Sequence, residues 1–117
     1  MATRTGRQRA GDAGEDAALA HLQQHGLTLV ERNFRCRGGE LDLIMRDGAT
    51  VVFVEVRRRA SSAFGGAAAS IGAAKQARLV AAALTWLQRY RTPPACRFDV
   101  IAIDAGALTW LRNAIAG

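Results

Sequence analysis

Lysine is all but absent from this chain: Lys75 is the only one among sixteen basic residues, and the other fifteen are arginine. Cysteine is equally scarce. Two thiols, Cys36 and Cys96, supply neither a disulfide framework nor a zinc cluster, and a reduced, cytoplasmic protein is the simplest reading. Long apolar runs are missing as well. The longest, Leu79 to Leu87, spans nine residues with Thr85 inside it, too short to cross a bilayer, so no membrane association is expected. The basic opening MATRTGRQRAG leads into neither an apolar run nor a small-residue cleavage site, and no secretory signal is visible. No repeat and no interior linker divides the chain, whose 117 residues suffice for one domain with one modest core.

What is present is arginine, alanine and a surplus of positive charge. Half the residues are hydrophobic and 22% are charged, the composition of a globular chain. The net charge is +6. Guanidinium binds phosphate oxygens bidentately, so an arginine surplus over so small a surface suits contact with nucleic acid. A genome favouring arginine and alanine codons would explain the arginine-to-lysine ratio, and the 24 alanines agree with that. It would not explain the excess of bases over acids.

Residues 1–10 read as a basic, partly flexible lead-in and residues 11–117 as a single domain. Helical periodicity runs over residues 12–25, with Glu15, Ala18, Leu19 and Leu22 on one face and Gly26 as the stop. Strands are expected over Leu27 to Arg35, Glu40 to Arg46 and Val51 to Arg57. Gly38-Gly39 separates the first two, and a hairpin around Asp47-Gly48 joins the last two. Residues 60–70 (ASSAFGGAAAS) are small and glycine-containing, a loop expected to be poorly ordered without substrate. A long helix follows over Ile71 to Tyr90, carrying the stripe Leu79, Ala82, Ala83, Trp86 and Tyr90, and Pro93-Pro94 ends it. Arg97 to Ile103 is a strand, and Ala107 to Ile115 is a last strand or an irregular tail. The order α-β-β-β-α-β-β describes an α/β or α+β domain, a central sheet flanked by helices.

The central hairpin carries the chemistry. Alternation puts Leu41, Leu43, Met45, Val52, Val54 and Val56 on one apolar face. The other face holds Glu40, Asp42, Ile44, Val51, Phe53, Glu55 and Arg57. A four-residue connection, Asp47 to Thr50, sets Asp42 opposite Glu55 and Glu40 opposite Arg57; a two-residue connection makes Asp42 and Glu55 diagonal neighbours. Either register gathers three carboxylates and a guanidinium at one end of a mostly apolar surface. Facing carboxylates repel, and burying them is costly unless a partner compensates. A divalent cation is the usual partner, and ligands that are all oxygen suit magnesium or manganese. A plain solvent-exposed sheet end is the alternative, but Ile44, Val51 and Phe53 require that face to be covered.

Other residues carry two readings each. Glu15 lies on the apolar stripe of the first helix and either joins the site or closes a capping box with Asp12. Lys75 stands one turn before the apolar stripe of the long helix, so its ammonium either reaches over the sheet toward the site or lies at the surface. Asp99 faces away from Phe98 and Val100 and either pairs with Arg97 or supports the site. His21 and His25, four apart on one helix face, lack a third ligand and read as surface residues. Trp86 and Trp110 read as core or interface.

Taken together, Gly14-Glu15, Arg32-Asn33-Phe34-Arg35, Gly39-Glu40-Leu41-Asp42-Leu43-Ile44, Val52-Phe53-Val54-Glu55-Val56-Arg57, Lys75-x-x-Arg78 and Arg97-Phe98-Asp99-Val100 resemble the YraN-like family of uncharacterised bacterial proteins. The likeness runs from about Gly6 to the C-terminus. That family is assigned to the restriction-endonuclease-like fold, the PD-(D/E)xK nuclease superfamily, and is similar to archaeal Holliday-junction resolvases. The resemblance therefore implies a mixed sheet flanked by helices with a metal site on the central hairpin. It implies Asp42 as the metal-binding aspartate, Glu55 as the acid of the (D/E)xK motif, the Val56 carbonyl as a further ligand, and Glu15 as the first-helix glutamate of the resolvase-type subgroup. Arg57 occupies the position where relatives most often carry lysine.

The function so implied is magnesium- or manganese-dependent hydrolysis of DNA phosphodiesters, including branched or repair intermediates. Arg57 keeps the positive charge but cannot act as a base, and Lys75 is the candidate to stand in for the lysine. Arg35, Arg58, Arg59, Lys75 and Arg78 are the expected contacts to nucleic acid. The Arg57-Arg58-Arg59 run and the missing lysine equally suit a catalytically degenerate nucleic-acid-binding module. A third reading is an assembly domain whose basic surface meets an acidic protein. Many nucleases of the superfamily are dimers, so a homodimer is also implied, to which Trp110 and Leu111 could contribute.

Overall fold

Strands that are apolar on both faces must be covered on both, and one helix on each side of the sheet meets that demand. The computed structural model describes residues 6–59 and 71–115. Its elements are α1 (Gly6–Gln24), β1 (Thr28–Cys36), β2 (Gly39–Asp47), β3 (Thr50–Arg59), α2 (Ala73–Leu87), β4 (Cys96–Asp104) and β5 (Ala107–Leu111), the order expected from the sequence. The five strands form one sheet in sequential order. Neighbours are antiparallel except β3 and β4, which run parallel because α2 carries the chain back between them. This is the mixed, helix-flanked α+β sheet implied by the restriction-endonuclease-like resemblance.

Two cores lie on the two faces. Against α2 pack Ile44, Val51, Phe53, Phe98 and Val100, with Trp86 at the centre. Against α1 pack Leu43, Met45, Val52, Val54 and Ile101, with Ala18 and Leu22 from the helix. The long helix is shorter than its periodicity suggested, ending at Leu87, yet the stripe Leu79, Ala82, Ala83 and Trp86 is buried as expected. Helix α1 begins at Gly6, so residues 6–10 belong to it and not to the lead-in. That start also removes the capping box: Asp12 and Glu15 stand well inside the helix. The loop over residues 60–70 and the side chain of Arg59 lie outside the described residues.

One expectation about the hairpin is corrected. Leu41 was placed on the face of Leu43 and Met45, but it packs in the α2-side core with Ile44 and Phe53. The alternation slips next to Asp42. The β2–β3 ladder runs from Asp47↔Thr50 to Leu43↔Val54 and stops there. Beyond it the Val56 N–H donates to Asp42 Oδ2 at 2.9 Å. The β1–β2 register holds on both sides of Asp42, but the alternation breaks there, opposite the left-handed Asn33, and Leu41 turns to the opposite face.

Gly39 fixes how the β1–β2 turn meets α2. A Cβ at this position would stand 2.4 Å from the Arg78 carbonyl oxygen, a backbone atom that cannot swing aside. At Gly38 the nearest atom to an added Cβ is the Ala81 side chain at 3.2 Å. Gly39→Ala is therefore expected to cost about 1–3 kcal/mol of stability, and Gly38→Ala much less, as read from urea unfolding midpoints. Equal midpoints for the two variants would mean that turn and helix do not meet this closely.

The far end of the sheet is held by Asp99. It is fully buried and accepts from Arg97 Nε at 3.1 Å, from Trp110 Nε1 at 2.9 Å and from the Asn113 backbone N–H at 2.9 Å. Arg97 also reaches Asp47 at 3.1 Å. Of the two readings for Asp99, pairing with Arg97 is the observed one. It ties β5 and the turn after it to β4, one register step from Glu55, and its own oxygens are taken up by these three donors. Trp110 is half-buried, packed edge-on against His21 and His25 and covered by the Arg112 guanidinium.

Candidate active site

Glu55 is the residue around which the site is built. Its place in β3, two residues after Phe53, turns it toward α2, and it is 4% exposed. Helix α2 brings Lys75 over the sheet, Nζ lying 3.7 Å from Glu55 Oε1. Arg57 Nη1 is 4.0 Å from the same oxygen. The other oxygen, Oε2, is buried and has no hydrogen-bond partner among the described residues. Asp42 stands beside Glu55 just past the last paired residues, Leu43 and Val54, close enough for the two carboxyls to interact directly.

The electrostatics follow from that crowding. Burial first, then the Asp42 charge and a hydrogen bond to that carboxyl, push the Glu55 carboxyl up to about 8, against the pull of Lys75 and Arg57. Burial also raises Asp42, against the Val56 N–H and Lys75, which favour its charged form. Two carboxyls that resist ionising together, one with a buried oxygen lacking a donor, form a set of hard oxygen atoms suited to a divalent cation. Lys75 is thus found in the first of its two readings, reaching over the sheet, and it is nearer to Glu55 than Arg57 is.

The remaining expected residues are placed differently. Glu40 does not complete the carboxylate cluster: it lies opposite Arg35 on β1 and pairs with it at 3.3 Å, half exposed. The β2–β3 pairing that would set it opposite Arg57 ends at Leu43↔Val54. Glu15 meets Arg32 at 3.3 Å, and the neighbouring Asp16 meets the same guanidinium at 2.9 Å. With its amide nitrogen turned to the carboxylate, Asn33 also donates to Glu15 at 3.2 and 3.3 Å. Among the described residues no three acidic, histidine or cysteine side chains gather to hold one ion. Glu15 is nonetheless tied to the site's frame: the pairs Arg32↔Leu43 and Phe34↔Leu41 set Asn33 opposite Asp42. Asn33 has a φ of +54°, a left-handed conformation that asparagine tolerates better than most residues. Sequence reading missed Asn33 as a site neighbour, although it sits inside the Arg32-Asn33-Phe34-Arg35 motif. Arg35 and Arg78 line one cavity with Lys75, as does Arg37, which was not foreseen. Arg58 is exposed at the end of β3.

The model of Uncharacterised protein family UPF0102 matches residues 14–103, a span that holds Glu15, Asp42, Glu55, Lys75 and Asp99. The chain belongs to this family. It is 66% identical over 112 residues to a UPF0102 protein of Janthinobacterium sp. (strain Marseille), covering 96% of this chain and 91% of that protein. It is 64% identical over 112 residues to one of Herminiimonas arsenicoxydans, covering 96% and 90%. A UPF0102 protein of Cupriavidus pinatubonensis is 59% identical over 109 residues, covering 92% and 85%. The YraN-like family indicated by the motifs is this UPF0102 family. As for membranes, no helix among the described residues is long and apolar enough to cross one.

Proposed function

We propose that this UPF0102 protein is a metal-dependent nuclease that hydrolyses phosphodiester bonds of DNA at the Asp42–Glu55 pair. The observation that carries this reading is the buried Glu55 oxygen without a donor, beside a second carboxyl that raises the Glu55 pKa. A like-charged pair of this kind is stable when a cation occupies it. Asp42 and Glu55 would hold magnesium or manganese, with the Val56 carbonyl as a further ligand. A cation bound there would lower the pKa of a water and stabilise charge on the phosphate.

The chain's own residues would do the rest. Lys75 keeps an ammonium beside Glu55, where it can hydrogen-bond a phosphate oxygen whose charge grows in the transition state. Arg57 adds a second fixed cation from the strand and cannot remove a proton. Arg35, Arg58, Arg59 and Arg78 supply the sequence-independent attraction for the phosphate backbone. Asn33 and Arg32 hold Glu15 against the strand opposite Asp42, a positioning role.

A second reading, a nucleic-acid-binding module without catalysis, is favoured by Arg57, whose guanidinium occupies the usual lysine position and already faces Glu55. Cleavage of labelled linear, single-stranded, flapped and four-way-junction DNA, with magnesium, manganese or chelator, decides between them. Metal-dependent cutting is expected. Salt-sensitive binding without cutting would establish the binding module, with Arg57→Lys as the attempted rescue. Failure to bind DNA or RNA at all would leave the basic surface to an acidic protein partner.

A further inference from the structure

Beside the carboxylate pair, the β1–β2 turn leans on the start of α2 and forms the wall of an open pocket of about 350 Å³. Arg35, Arg37, Lys75 and Arg78 line it against a single acid, Glu40, with the Gly38-Gly39 turn as its rim. Glu40 is already paired with Arg35, and Lys75 faces Glu55. Arg37 and Arg78 have no acidic partner among the described residues. Like charges lining a concave wall repel one another and focus a positive field into the space between them. The start of α2 adds to that field, for its first turn carries no acidic residue and its N-cap, Gly72, offers no side chain. The rim is firmly placed, because Gly39 lies against the Arg78 backbone.

Size narrows the choice of anion. Ligand sites commonly occupy about 300–1,000 Å³, and this cavity lies at the small end of that range. It has room for about one nucleotide, which a strand free of its complement can bend into more readily than a stiff duplex can. Lys75 belongs to both the cavity and the carboxylate pair, so a phosphate seated here would be next to the reacting one.

We infer that this cavity is a phosphate subsite for an unpaired nucleotide, with Arg37 and Arg78 as its binding groups and Lys75 shared with the neighbouring carboxylates. The substrate class is then a strand end or an unpaired stretch. The phosphate is either an internal diester or a terminal monoester. The adjacency to a cleaved bond rests on the nuclease reading, whereas phosphate binding itself does not.

The test is equilibrium binding of the full chain in EDTA to a short labelled single strand, carrying a 5′-phosphate or a 5′-hydroxyl, and to the same strand in a blunt duplex. Arg37→Gln and Arg78→Gln are each expected to weaken single-strand binding roughly tenfold and to lower the salt slope by about one. Arg91→Gln, an exposed arginine beyond the other end of α2, should change neither. A loss confined to the 5′-phosphorylated strand identifies the monoester, and an equal loss for both strands identifies the diester. Wild-type affinity in both cavity variants would overturn the inference. So would an equal loss in Arg91→Gln, or an equal loss for the duplex. Because nothing is cut in EDTA, a protein without nuclease activity can pass this test and an active one can fail it.

Discussion

On the proposed nuclease reading, Lys75→Ala is expected to lower metal-dependent DNA cleavage by about a hundredfold or more, the usual effect of deleting a donor that stabilises transition-state charge. Asp42→Ala and Glu55→Ala are expected to reduce it to background, because each removes half of the oxygen pair that would hold the cation. Arg57→Ala is expected to cost less, about tenfold, since its guanidinium lies at the edge of reach from Glu55 at 4.0 Å while the ammonium is at 3.7 Å. Single-turnover rates with metal held saturating check the ranking. The pH profile separates chemistry from folding. Lys75 holds the Glu55 carboxyl down, so its removal should move the rising limb of the profile to higher pH, an effect that a misfolded fraction would not produce. Undiminished cleavage by Lys75→Ala would remove this lysine from the reaction and leave Arg57 as the accepted variant of the usual residue.

Glu55→Gln makes the metal-free protein more stable at alkaline pH. The folded-state carboxyl is raised from the ordinary 4.5 to about 8. Below the ordinary value both folded and unfolded chains carry the proton, and the charge makes no difference. Between 4.5 and about 8 the unfolded chain gives up its proton while the folded chain keeps it, so stability falls as pH rises through this window. Asp42, also raised by burial, pulls in the same direction. The total at stake is on the order of a few kcal/mol, and the amide never ionises. Thermal melts in chelator should therefore coincide near the lower end of the window and diverge above its upper end, with Glu55→Gln the more stable. Magnesium should close the gap for the wild type alone, because a cation that binds only the folded carboxylates stabilises that state. Parallel melts across the range, or a less stable amide variant, would show that the pair is already satisfied without metal.

A destabilising acid kept in a buried position bears on the choice between nuclease and binding module. Phosphate attraction needs only cations, and the chain has them on the rim of the site. Burying Glu55 beside Asp42 weakens both folding and anion binding unless an ion is to be held there. The same logic gives Lys75 its interest. In a chain that otherwise uses arginine throughout, the single lysine reaches the most deeply buried acid of the hairpin.

Local pattern alone determined a good part of this protein. The α-β-β-β-α-β-β order, the apolar stripe of α2 and the gathering of Asp42 and Glu55 at one end of the hairpin are consequences of periods of 3.6 and two and of a short turn, all of which act between residues near in sequence. The motifs also marked Lys75 and Arg57 as the competing cations. Tertiary structure decided the rest. Whether Glu40 joined the acids depended on where the β2–β3 ladder stops, at Leu43↔Val54, beyond which the Val56 N–H donates to the Asp42 carboxylate. Where Glu15 points was set by Arg32 and Asn33, seventeen and eighteen residues further on. The basic cavity needed Gly39 to touch the Arg78 backbone. Each of these outcomes is a competition between partners brought together only by folding, and alternation along one strand carries no record of which partner wins.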